Sequence, residues 1–117
     1  MKYFSRDEFK CKCNNCNQDL IDFELVEVMD ELRDAIEKPI IITSGNRCEN
    51  HNKSIGGSPT SQHLLSKACD FKIEGFPTDE IYYFLDNIYH DKYGIGLYDS
   101  WVHIDVRKDK ARWDKRS

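Results

Sequence analysis

The sequence lacks the features that would place it across a membrane, in a fibre or on nucleic acid. No run of apolar residues approaches the roughly 20 that a membrane-spanning helix needs. The opening segment, MKYFSRDEFK, has no apolar signal core, so the expectation is a chain made in the cytoplasm. There is no internal repeat, no low-complexity stretch and no linker rich in proline, glycine and serine. One domain spanning residues 1–117 is therefore expected, near the commonest domain size. Positive charge is not in excess either. The 17 Lys and Arg stand against 21 Asp and Glu, a net charge of −4, whereas nucleic-acid binding needs a basic footprint.

The composition present is that of a folded, solvated chain. A hydrophobic share of 39%, with six Phe, six Tyr and two Trp, can build a core, and 32% charged residues suit a wet surface. A monomer is expected. The segment from Arg107 to Ser117 is locally basic through Arg107, Lys108, Lys110, Arg112, Lys115 and Arg116. It reads as a solvated tail, or else as an electrostatic handle for an anionic polymer.

Periodicity sets the expected elements. Ile21, Leu25, Val28, Met29, Leu32 and Ile36 share one stripe at helical spacing, so a helix is expected over Ile21–Glu37, stopping before Pro39. The β-branched run Pro39–Thr43 reads as a short buried strand. Ser44–Thr60 is polar and glycine-bearing, a loop with a helical turn around Glu49–Lys53. Ala68–Ile73 is a strand candidate. Thr78 is placed to cap a second helix, Thr78–Tyr89, whose Ile81, Phe84, Leu85 and Ile88 follow the same spacing. Two strands, Gly94–Tyr98 and Trp101–Arg107, close the order through Asp99-Ser100. An α+β fold follows, with two main helices and a small, mostly antiparallel sheet.

The last of these strands carries the chemistry. Alternation puts Val102, Ile104 and Val106 on one face, and Trp101, His103, Asp105 and Arg107 on the other. The first face belongs to a core; the second is either solvated or the wall of a cleft. A second polar group lies in Ser61-Gln62-His63 to Asp70. Cys69, Phe71 and Ile73 take the apolar face of their strand, and Asp70 takes the opposite one. If the chain folds back, His63, Asp70 and His103 converge. Two neutral imidazoles and a carboxylate suit Zn²⁺ and leave a fourth position open. Spacing alone leaves chance a fair alternative.

The stretch Ser61-x-His63 to Ala68-x-Asp70 resembles the Ser-x-His-x-x-Gly-x-Ala-x-Asp signature of the D-Ala-D-Ala metallopeptidase family. That family includes zinc D-Ala-D-Ala carboxypeptidases, vancomycin-resistance dipeptidases and phage L-alanyl-D-glutamate endolysins, on a hedgehog-type fold. Upstream, Ser44-Gly45-Asn46-Arg47, His51-Asn52 and Gly56-Gly57 resemble the family's Ser-Gly-x-Arg, His-Asn and Gly-Gly. Downstream, Trp101–Arg107 and Arg112-Trp113 are similar to the close of the short phage-type members. Ser66 stands where the family has glycine, which alters a turn and removes no ligand.

The resemblance implies one catalytic zinc ion held by His63, Asp70 and His103, with Arg47 binding a substrate carboxylate or carbonyl oxygen. Arginine suits that task through its planar fork. Ser61 and Trp101 are the further substrate-binding candidates. The implied substrate is a peptidoglycan stem peptide. The enzyme would be of carboxypeptidase or endolysin type, from a phage or prophage, acting on the wall after release or as part of a phage particle. Many relatives carry Glu three residues before the last histidine; here that position is Ser100. Asp105, on the strand face of His103, and Asp99, in the tight connection, are the candidate proton acceptors, with an orienting role as the alternative for Asp105. If neither serves, the chain would be a non-catalytic zinc-binding module for wall peptides or a protein partner.

Five cysteines remain. Cys11, Cys13 and Cys16 are close enough to ligate a structural zinc with a further donor such as Cys48, although the spacing is not that of paired Cys-x-x-Cys knuckles. Reduced thiols, or a bridge formed after release, are the other readings. Cys69 reads as core. A cysteine-cluster domain binding nucleic acid is disfavoured by the acidic balance.

Overall fold

The computed structural model describes residues 3–13, 21–57 and 61–117. These residues build helices α1 (Phe23–Ile36), α2 (Glu49–Ser54) and α3 (Thr78–Ile88), with strands β1 (Ile40–Ser44), β2 (Ala68–Ile73), β3 (Gly94–Leu97), β4 (Val102–Asp105) and β5 (Ala111–Asp114). Short 3₁₀ turns occupy Arg6–Phe9 and Gln62–Leu65. The fold is α+β, as the alternation of the two periodicities requires.

Helix α1 starts where Asp22 accepts the Glu24 N–H at 2.8 Å, and it ends at Glu37 in the left-handed region, φ 60°. Its buried Leu25, Val28, Met29 and Leu32 pack on the sheet, while Ile21 and Ile36 lie at the margin. Two tyrosines clamp the helix to the chain beyond α3. Tyr89 donates to Glu31 at 2.6 Å and Tyr93 to Glu24 at 2.7 Å. No helix among the described residues is long and apolar enough to cross a membrane.

The sheet runs β1-β2-β4-β3-β5, antiparallel except for the β3–β5 pair. Register places the site. Asp70 on β2 stands directly opposite His103 on β4, and His103 in turn faces Gly96 on β3. Val102 and Ile104 point into the core with no exposure. The other face of β4 is not solvated, since His103 and Asp105 are buried as well.

Two expectations need correction. Thr78 does not cap α3: Pro77 holds that position, and the Thr78 hydroxyl donates to the Tyr98 carbonyl at 2.8 Å, tying the helix to the end of β3. Nor is the basic segment after β4 a plain solvated tail. It forms β5, because Arg112 donates to the carbonyls of Tyr89 and Tyr93 (both 2.6 Å) and pairs with Asp86 at 2.7 Å. A side chain counted as surface charge thus reaches carbonyls of the connection between α3 and β3.

Candidate metal centre

His63 sits on the 3₁₀ turn leading into β2. The turn is capped by Ser61, whose hydroxyl oxygen accepts the His63 N–H at 3.2 Å. It closes at Ser66 with φ 60°, a conformation glycine adopts freely and other residues at about 1–2 kcal/mol. The Ser66 hydroxyl accepts from Asn46 at 2.6 Å, so serine keeps the glycine geometry with a hydrogen bond added.

The rings of His63 and His103 approach to 5.2 Å, and each has one nitrogen committed away from the other. Nδ1–H of His63 donates to the Gly45 carbonyl at 2.7 Å, which turns Nε2 toward Asp70 Oδ1 at 3.3 Å. His103 uses the opposite tautomer. Its Nε2–H donates to Asp105 Oδ2 at 2.7 Å, and Nδ1 lies 2.9 Å from the same Asp70 oxygen. One atom from each of His63, Asp70 and His103 falls within 4.8 Å of the other two. Ligand bonds of about 2.0–2.1 Å at tetrahedral angles separate donor atoms by ~3.3 Å, so donor set and spacing fit zinc. The outward hydrogen bonds are those that orient metal-binding imidazoles.

Electrostatics follow the geometry. Burial would raise the Asp70 carboxyl, but hydrogen bonds and charge from His103 and His63 hold it below the usual carboxylate range. Burial likewise opposes ionisation of Asp105, yet His103 and Arg107 keep it low. His103 loses basicity to burial and regains more from Asp105 and Asp70, so its pKa stands above the ordinary value.

His63, Asp70 and His103 line a cleft of about 480 Å³. Arg47 reaches it with its fork spread over Ser44, Asn52 and Asp70 at 3.2–3.3 Å. Ser61 and Trp101 line it too. Two further aromatic side chains, Tyr98 and Trp113, complete the wall. Tyr98 stacks on Trp101 at 4.6 Å, and its hydroxyl accepts from Trp113 Nε1 at 2.9 Å. Trp113 itself leans on His103 at 5.1 Å.

The cleft lining includes neither Asp99 nor Asp105. Asp99 is exposed and accepts from the Ser117 backbone and hydroxyl, at 3.2 and 2.7 Å. Asp105 has no exposure and is gripped by Arg107 Nε and the Arg107 terminal nitrogen, each at 2.7 Å. Strand alternation correctly gives it the His103 face; the arginine two residues on claims its carboxylate.

The signal that could have located this wall is Gly94-x-Gly96. A Cβ at Gly94 would lie 2.5 Å from Asp105 Oδ2, and one at Gly96 would lie 2.3 Å from Trp113 Nε1. Bare backbone on β3 makes room for both. Gly96→Val should therefore push Trp113 off His103, lowering stability by about 1–3 kcal/mol. Thermal melts and intrinsic tryptophan fluorescence report it; an unchanged emission spectrum would contradict the packing.

Among the cysteines, Cys69 is wholly buried and burial pushes its thiol well up, which makes it a core residue. Cys11 and Cys13 come together with Cys48, and Cys16 lies outside the described residues.

A family model described as Peptidase M15 matches residues 2–105. No curated protein matches the chain.

Proposed function

The chain belongs to the peptidase M15 family, a family of zinc-dependent peptidases, and on that premise we propose that it hydrolyses the stem peptides of peptidoglycan. The supporting observation is the convergence of His63, Asp70 and His103 within 4.8 Å, each imidazole locked by its second nitrogen. These three side chains would hold the ion. Zinc, when bound, supplies a Lewis acid that polarises the scissile carbonyl and acidifies water.

The remaining work falls to the chain. Arg47 offers a pre-spread fork to a substrate carboxylate or carbonyl oxygen, and Ser44, Asn52 and Asp70 hold it in place. Trp101 and Tyr98 form a flat apolar wall for substrate side chains. Asp105 keeps the proton on His103 Nε2 and so aims Nδ1 into the cleft. The phage-type likeness of the closing strand extends the proposal to a lysis enzyme or a wall-degrading part of a phage particle.

One observation favours a second reading. Asp70 is the sole carboxylate among the described residues lining the cleft, so no separate acid stands ready to take a proton there. A zinc-binding module that recognises wall peptides without cutting them would need none. Incubating zinc-loaded protein with purified peptidoglycan, followed by mass spectrometry of the muropeptides, separates the two. Cleavage should appear as new amino groups and shortened stems, with the masses naming the bond. Full zinc occupancy with intact muropeptides would establish the binding module instead.

A further inference from the structure

A second cluster of metal-ligating side chains lies outside the cleft. Cys11 follows the first 3₁₀ turn, Cys13 stands two residues on, and Cys48 comes from the start of α2. Sγ of Cys48 lies 3.7 Å from that of Cys11 and 3.8 Å from that of Cys13, and all three sulfurs fall within 4.8 Å of one another. A disulfide would bring two sulfurs to about 2.05 Å and leave the third out. Thiolates sharing a tetrahedral zinc, with Zn–S bonds of about 2.3 Å, stand ~3.8 Å apart.

Two of the sulfurs also accept backbone N–H groups. Cys48 N donates to Cys11 Sγ and His51 N to Cys48 Sγ, each at 3.4 Å. Such donors lower the cost of holding sulfur as thiolate.

We propose that Cys11, Cys13 and Cys48 bind a second, structural zinc ion. Its place in the fold gives it a task. The first segment already lies against the loop that carries Arg47: the Asn46 N–H donates to the Phe9 carbonyl at 2.7 Å, and a Cβ on Gly45 would meet the Phe9 backbone at 2.6 Å. Arg47 directly precedes Cys48. The ion therefore staples the N-terminal segment to the loop that aims the substrate-binding arginine. This assignment is independent of what the cleft does.

The test uses the full chain, made in a reducing cytosol and loaded with zinc or cobalt. The H63A/H103A variant, whose cleft ligands are gone, should retain one equivalent of zinc. With Co²⁺ it should show the intense near-ultraviolet absorption of thiolate-to-metal charge transfer. Its thiols should resist modification until a mercurial releases the metal. C11S/C13S/C48S in the same background should lose both metal and absorption. Because that variant can fail to fold, the spectrum of H63A/H103A decides alone. Cobalt binding without charge transfer, no retained equivalent of zinc, or a mass lower by two hydrogens, which marks a disulfide, would each overturn the assignment. Failure of the peptidase reading would leave every one of these results unchanged.

Discussion

Alanine at His63, Asp70 or His103 is expected to strip the cleft of its zinc and to abolish peptide hydrolysis. The ligands act as a unit, so the three single variants should behave alike. A metal supplying several kcal/mol of transition-state stabilisation is worth, at about 1.4 kcal/mol per tenfold, a loss on the order of 10³-fold or more. His103→Ala is the most telling of the three. Asp105 and Arg107 remain paired beneath it, at 2.7 Å, so the strand keeps its support while the metal loses a donor. Metal analysis, release of amino groups from peptidoglycan and circular dichroism should show lost zinc and activity with the fold retained. A variant that keeps wild-type turnover would refute the ligand set. Chelation of the native protein should give the same loss, reversed by added zinc.

The second large effect is expected at Asp105. This carboxylate has no exposure, yet it accepts from His103 and from three nitrogens of Arg107. Breaking a buried pair costs about 3–5 kcal/mol, which is an upper bound here because the Arg107 side chain is 34% exposed and can turn to solvent. Asp105→Ala should therefore lower stability by about 2–3 kcal/mol, within that bound. Asp105→Asn keeps the shape but weakens the hold on the His103 proton. Loss of such an orienting partner lowers metal affinity or activity about 10–100-fold. Zinc titration and melting curves on both variants check the pair. Unchanged affinity in Asp105→Asn would show that the tautomer of His103 is set elsewhere.

Acid stability gives the same pair a second readout in chelated protein. Asp70 and Asp105 both have folded pKa values below those of free carboxylates. The stability they contribute is complete above about pH 4 and is lost as pH falls toward the folded values. His103 works in the opposite sense. Its raised pKa favours the fold below about pH 6.5, and that contribution goes as pH rises through the folded value. Asp105→Asn should flatten the acid limb.

Much of this architecture could be read from residue order. The stripe of α1 follows from burial on one face, which periodicity measures directly, and β2 keeps the expected bounds Ala68–Ile73 although it is buried at every position but Lys72. His63, Asp70 and His103 are singled out by the resemblance to a metallopeptidase signature rather than by spacing alone, and the fold brings them together. What escaped has a common cause. Arg112 looks like solvated charge until its carbonyl partners on a distant turn are known. Asp105 reads either as a proton acceptor or as an orienting partner, and residue order does not show that Arg107 grips it. Each depends on where a long side chain ends, which strand alternation and composition do not encode.

The cross-strand placement of Asp70 and His103 also bears on how the sheet assembles. Side chains alternate, so sliding β2 past β4 by a single residue would turn one of the two away from its mate. A mis-zipped chain could still bury apolar surface, but it could not close around a divalent cation. Metal capture would then act as a proofreader of strand alignment, drawing the population toward the correct pairing before any substrate is met.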